Sequence, residues 1–254
     1  MTIICKNCNQ HFQGQFCNNC GQSAETHKIN THFLWNDIQH GLLHLDKGFF
    51  YTAKELFTRP GHSIREFIEG KRVKHFKPIS LILVLSGSLG LLYHFFHISI
   101  LEGNVVMTAN DKEGIEFINA FNLASDWIAE HYAITTILLL PIFSICTFLI
   151  FKKAQYNFVE HLVLNSFLTG QKLIFHILLF PLIYFYNATP IIRPIISFEN
   201  LIDMGLTIWV FVQFFNRQKK WKTFWQTLLC QLLYLLLLGL IISMVILIYL
   251  KSKH

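Results

Sequence analysis

Charge is scarce in this sequence. Asp, Glu, Lys and Arg make up 14% of its 254 residues, where an ordinary soluble domain carries about 25%. Several long stretches have none, the last running from Thr223 to Leu250. A soluble fold of this size cannot bury so much apolar surface, so a purely cytosolic enzyme is excluded. Hydrophobic residues at 53% and a mean hydropathy of +0.42 exclude a disordered chain as well. Familiar catalytic motifs are also missing. No Ser-His-Asp set, His-Glu-x-x-His helix, phosphate loop or pair of catalytic acids is visible. Glu160-His161 is the best local candidate for chemistry, so an intramembrane enzyme acting on lipid or peptide is the least supported class. Residues 1–30 are polar and lack the apolar core of a signal peptide, so no export signal is expected.

What remains is the composition of a multi-pass membrane protein with a small polar head. Of six cysteines, four stand at the start: Cys5-x-x-Cys8, eight residues, then Cys17-x-x-Cys20-Gly21. Each Cys-x-x-Cys turn points two sulfurs at one centre, and two turns supply the four thiolates of a tetrahedral zinc site. Gly14 permits the bend between the turns, and Gly21 can take the positive φ after the second. Some 20 residues cannot build a core, so structural Zn2+ supplies the folding energy, roughly 10–16 kcal/mol. Two disulfides are the competing reading, disfavoured by the missing export signal. Four thiolates leave no open position for catalysis. His11 is an alternative ligand. Lys6 and Lys28 are too few fixed positive charges for a nucleic-acid footprint. Cys146 and Cys230 lie alone in apolar runs and read as buried hydrophobes.

The expected division is a zinc ribbon over 1–25, an amphipathic cytoplasmic neck over 26–77 and a helical transmembrane domain over 78–254. In the neck, apolar residues recur at helical spacing over 33–57, as one helix or two broken near Gly48. Thr58-Arg59-Pro60-Gly61 predicts a break, residues 62–69 a second short helix, and Gly70 its C-cap. Lys71, Arg72, Lys74 and Lys77 form a collar before the first span, where each is worth about 1 kcal/mol against an anionic leaflet. The neck either lies on that surface or packs on the bundle. Asp37, His40 and His44 have metal-ligand spacing, although interface-facing histidines are the default.

Five segments are predicted to cross: about 79–99, 131–151, 162–186, 197–216 and 226–249. The neck, Lys152-Lys153 and the run Arg217, Lys219, Lys220 and Lys222 are basic, whereas residues 102–130 carry six acids and one base. By the positive-inside rule the head and basic loops are cytoplasmic and the acidic loop is outside. Lys251 and Lys253 fit poorly with an external C-terminus, leaving four to six crossings open with five favoured.

Spans three and four carry the unusual residues. Lys172 and His176 are one turn apart, and Glu199 and Asp203 are four apart on the next span. Intramembrane charges are costly and mark pairs or pathways. Lys172, His176 and Asp203 are therefore a candidate polar site, with Lys172 and Asp203 a candidate pair. Alternatively span three starts at Lys172, with residues 157–171 lying at the interface. Pro141 and Pro181 can kink spans two and three.

Several motifs together resemble an uncharacterised family of bacterial membrane proteins, domain of unknown function 3667, found especially in Bacteroidetes-type bacteria. They are Cys5-x-x-Cys8, Phe16-Cys17-x-x-Cys20-Gly21-Gln22, Arg59-Pro60-Gly61 with Ile64-Arg65-Glu66-Phe67-Ile68, Gly70-Lys71-Arg72, Phe76-Lys77-Pro78 and Glu160-His161. The resemblance implies a zinc ribbon fused to a helical membrane domain, and no substrate or reaction.

The expectation is thus an all-α membrane protein of about five transmembrane helices, with interfacial amphipathic helices and a small N-terminal zinc ribbon. It belongs in a bacterial inner membrane with its N-terminus cytoplasmic. Its leading function is a scaffold or adaptor contacting membrane lipid and, through the ribbon, a protein partner. The alternative is an oligomeric transporter, channel or membrane-permeabilising effector using the polar residues of spans three and four.

Overall fold

The computed structural model describes residues 2–24, 26, 29–31, 48–98, 112–187 and 189–253. They form an all-α protein with a two-stranded head. In the head, β1 (Ile3–Ile4) pairs antiparallel with β2 (His11–Phe12), Ile3 opposite Phe12 and Ile4 opposite His11. Among the described residues its buried apolar centre is Cys5, Phe12 and Cys17.

The described part of the neck is a helical hairpin, α1 (Gly48–Thr58) and α2 (Pro60–Glu69), and residues 33–47 of the expected first helix lie outside the described residues. The expected break shrinks to Arg59, because Pro60 starts α2 at the position where its missing N–H and fixed φ cost nothing. Gly61 lies inside α2 for a packing reason. Its N–H donates to Gln213 Oε1 at 3.2 Å, and a Cβ there would overlap the backbone of Gln213 and Phe214. Gly70 caps α2 as expected, at φ 116, and Lys71 N donates to Glu66 O at 2.9 Å. Asp37, His40 and His44 lie outside the described residues.

Then follow α3 (Pro78–Phe95), α4 (Lys112–Glu130), α5 (Tyr132–Ile150), a 3-10 turn (Lys152–Ala154), α6 (Phe158–Tyr186), α7 (Ile192–Phe214) and α8 (Lys220–Lys253). Five of these, α3, α5, α6, α7 and α8, are long and apolar enough to cross a membrane. They coincide with the five expected segments. The acidic stretch before α5, read as a loop, contains α4; its acids obscured the helical spacing of Ile115, Leu123 and Trp127.

A reciprocal cap starts α6: Glu160 N donates to Asn157 Oδ1, and Asn157 N to Glu160 Oε2, both at 2.8 Å. This helix is central. In its most apolar window 44% of the residues are buried, against 6% in α8. A helix apolar all round and left on the outside is one that faces lipid. α3 runs parallel to α6, with Leu81 beside Gly170, Tyr93 beside Phe180 and Phe96 against Tyr184. The start of α3, three residues before Leu81, is therefore nearly one turn below Gly170, and α6 overhangs it by about 13 Å.

That overhang receives the neck. Phe67 meets Phe167 edge to face at 5.0 Å, and Gln171 Nε2 donates to Leu56 O at 2.7 Å. Leu56, Ile64, Phe67 and Ile68 join the same core as α3, α6 and α7. Of the two expected arrangements, α1 and α2 have the packed one. Arg65 fastens α2 to the far end of α7. Its guanidinium donates to Gln213 O and, at 2.9 Å, to Phe214 O, satisfying carbonyls at the negative end of the helix dipole.

Candidate functional site

The head is built on a twelve-residue repeat. Cys5 N donates to Gln10 O at 3.0 Å and Asn9 N to Cys5 O at 2.8 Å. Twelve residues later, Cys17 N donates to Gln22 O and Gly21 N to Cys17 O, both at 2.8 Å. Each loop turns on a positive φ, 59° at Asn9 and 75° at Gly21. Ile4–His11 pairing in the first half matches a Phe16–Ser23 bridge in the second. Two identical turns face each other, so the four sulfurs converge. Cys5 Sγ is 3.5 Å from Cys20 Sγ and Cys8 Sγ 3.6 Å from Cys17 Sγ. All four lie within 4.8 Å of one another and could hold one metal ion. A disulfide needs about 2.05 Å, so these are not disulfide pairs. Burial pushes the Cys5 thiol up to about 11. The Gln10 backbone N–H, with help from Asn19, brings Cys8 down to about 6, making it ready to bind as a thiolate. His11 is exposed on β2, outside the sulfur cluster.

The head is keyed to the neck. Gln22 Oε1 accepts from Arg72 N at 3.2 Å, and Gln22 is itself buried. Lys6 Nζ donates to Thr26 O at 2.9 Å, and both residues crowd Gly70, where a Cβ would meet Lys6 Cδ at 2.9 Å. Asn157 Nδ2 donates to the carbonyl of buried Ile29 at 3.3 Å. On its free surface the head leaves Ile4 59% and Phe16 60% exposed, one large apolar side chain before each turn.

The collar residues divide. Lys71 pairs with Glu66 at 3.1 Å, and Arg59 pairs with Glu66 at 3.0 Å and with Glu55 at 2.6 Å. Burial acts to raise the Glu66 carboxyl, but the two cations outweigh it and hold it below the ordinary range. Arg72 lies over the Phe67 ring, 5.7 Å from its centroid, and donates to Phe67 O at 3.2 Å. Its burial lowers its pKa from the ordinary value. Lys74, against Tyr51 at 5.9 Å, and Lys77, before α3, are exposed. Half of the collar thus tightens the neck instead of facing outward.

The second cluster lies between α6 and α7. Lys172 Nζ is 3.7 Å from Asp203 Oδ2. His176 Nε2 stands between Asp203 Oδ1 at 3.1 Å and Glu199 Oε1 at 3.3 Å. Two i,i+4 pairs on antiparallel helices interleave, so four groups meet. The three candidate residues are brought together, and Glu199, a residue of unusual placement in the sequence, proves to be the fourth member. Lys172 sits between one and two turns above the level at which α3 starts. Lys172 and Asp203 also line a cavity of about 690 Å³ among α5, α6, α7 and α8, under Ile128 of α4. Deeper, toward the neck, Asn165 Nδ2 donates to Ser144 Oγ at 3.1 Å and Thr147 Oγ1 at 2.9 Å. His161 is buried among Phe148, Tyr156 and Phe215, with neither ring nitrogen hydrogen-bonded among the described residues.

Residues 46–88 match the model of a family described as "Protein of unknown function (DUF3667)". No curated protein and no solved structure matches the chain. The matched stretch holds α1, α2, the collar and the first half of α3, well short of half the chain. Within it, Arg59, Gly61, Arg65, Gly70 and Arg72 each carry one of the contacts above. The similarity therefore falls on the hairpin that joins head to helices, and leaves both the cysteine cluster and the α6–α7 charges outside it.

Proposed function

We propose that the protein is an integral membrane scaffold whose zinc ribbon, residues 1–25, is held at a fixed angle on a cytoplasmic neck, residues 26–77. Residues 78–254 anchor it. The carrying observation is the head's two-sidedness: one side locked to the neck by Gln22 and Lys6, the other presenting Ile4 and Phe16. An adaptor needs that arrangement, a rigid apolar face presented to a protein partner. Zinc is the metal the sulfurs suit. Zn–S bonds of about 2.3 Å set tetrahedral edges near 3.8 Å, close to the 3.5 and 3.6 Å separations. Four thiolates and no open position make it structural.

A cytoplasmic head in a bacterial inner membrane is supported by charge placement. The neck, Lys152-Lys153 and the run from Arg217 to Lys222 adjoin the same ends of α3, α5, α6, α7 and α8, and basic loops stay inside. The test is a mild-detergent pulldown with wild type, an Ile4→Ser/Phe16→Ser variant and a Cys17→Ser/Cys20→Ser variant. The adaptor reading expects one partner set to disappear in both variants; an unchanged partner list in both eliminates it.

A second reading, an oligomeric transporter, channel or permeabilising effector, is favoured by the charges on α6 and α7 and the cavity they line. Five spans are few for one permeation unit, and α8 has free surface for a second copy. Proteoliposome flux compared between wild type and Lys172→Ala tests it; no flux in either removes it.

A further inference from the structure

We infer that the cavity among α5, α6, α7 and α8 is a binding site for a lipid-derived amphiphile with an anionic head, a carboxylate or phosphate monoester on an acyl chain. This goes beyond the scaffold reading and requires neither the head nor any transport. Three observations carry it. First, about 690 Å³ is in the range of small-molecule sites and is large enough for a head and part of a chain. Second, the walls are of two kinds. Leu139, Leu140, Phe143, Leu168, Met204 and Leu235 are apolar, and Met204 and Leu235 are also among the exposed large apolar residues of α7 and α8. The apolar wall is thus continuous with the lipid-facing surface, giving a chain a route in.

Third, the polar part of the wall is rich in donors. Lys172 brings an ammonium, Thr135, Thr169, Tyr132 and Tyr234 bring hydroxyls, and Gln231 an amide. An ammonium has three N–H donors, more than Asp203 at 3.7 Å can take up. Thr135 Oγ1 is buried in this wall with no hydrogen-bond partner among the described residues. An orphan hydroxyl and a half-engaged ammonium in the wall of one cavity leave an anion's oxygens to be supplied. Asp203 does not block this. Its other oxygen is already held by His176, which Glu199 holds in turn. When Lys172 turns to a ligand, the carboxylate keeps a partner.

The test is photolabelling of the full-length protein in neutral maltoside micelles with a diazirine-tagged palmitate, mapped by mass spectrometry. Unlabelled palmitate, hexadecyl phosphate, methyl palmitate, palmitylamine and inorganic phosphate serve as competitors. Label is expected on peptides containing Thr135 and Gln231. Palmitate or hexadecyl phosphate should compete about tenfold better than methyl palmitate or the amine, and inorganic phosphate should not compete. Lys172→Gln should lower cavity labelling about fivefold, while incidental labelling of the exposed apolar face of α8 stays constant. Equal competition by the ester, competition by free phosphate, or full labelling of Lys172→Gln would overturn the inference. Should Lys172→Gln not fold, Leu139→Trp narrows the cavity and leaves all four charged groups in place; undiminished labelling of that variant equally overturns it. Substitutions in the ribbon leave this assay unaffected, so its outcome is separable from that of the pulldown.

Discussion

Asp203 is shared: one carboxylate oxygen faces Lys172 at 3.7 Å and the other faces His176 at 3.1 Å. Sharing makes the two ends of the ion pair unequal. Replacing Lys172 by Met leaves Asp203 with His176. Replacing Asp203 by Leu leaves Lys172 with no counter-charge, the costly situation of an unpaired buried ion, about 3 kcal/mol. Thermal unfolding in detergent should therefore show Asp203→Leu well below Lys172→Met. The double variant Lys172→Asp/Asp203→Lys should recover part of the loss; failure of both the asymmetry and the recovery removes the pair.

Metal binding should be stoichiometric and confined to the head. Elemental analysis should find one zinc per chain, falling to none in Cys17→Ser/Cys20→Ser and staying at one in Cys146→Ser/Cys230→Ser. Because metal supplies about 10 kcal/mol or more to such a fold, chelation should strip hydrogen-exchange protection from residues 2–24. Protection of α3 and α6 should stay intact.

Gly61 is a pure contact test. Any Cβ there strikes the backbone of Gln213 and Phe214, which cannot rotate away as a side chain can. Gly61→Ala should destabilise the protein by about 1–3 kcal/mol through overpacking. Gly87→Ala, with nothing within 4 Å of the new methyl, serves as the control and should be neutral or slightly stabilising, since alanine is the better helix former.

His75 links stability to pH. It sits between Tyr51, Phe67 and Phe167, with Nε2 2.8 Å from Ser63 Oγ. Burial brings its pKa down to about 4 from the usual 6.5, although Glu66 nearby acts the other way. The unfolded chain binds a proton at 6.5 and the folded one only near 4. Its contribution is therefore flat above pH 6.5, falls between 6.5 and 4, and is flat again below. The full loss is about 3 kcal/mol. His75→Phe should flatten the melting temperature between pH 7 and 5 relative to wild type; parallel curves for the two proteins would show that His75 is not responsible.

The spans, the cysteine turns and the Lys172–Asp203 pair were legible because each is written in spacing. Apolar runs give helices, Cys-x-x-Cys gives convergent sulfurs, and i,i+4 charges on two long apolar segments are placed to neutralise each other. The contacts across distant segments were not. Nothing near Gln22 indicates that its amide caps Arg72 N, nor anything near Arg65 that it closes the end of α7. The neck's amphipathicity fits a membrane surface and a protein surface equally. Gln171, reaching Leu56 O from the middle of α6, decides for protein, and only the fold brings those two groups together. The cavity was hidden for the same reason: its polar wall is assembled from four helices, with two or three polar residues from each.

The overhang of α6 has a mechanical consequence. The Asn157 side chain that grips Ile29 and the Lys172 that faces Asp203 lie at two points along one rod, about 22 Å apart. No proline interrupts that stretch; Pro181 comes later. A torque applied where Asn157 holds Ile29 turns the shaft as a whole, and the ammonium swings with it.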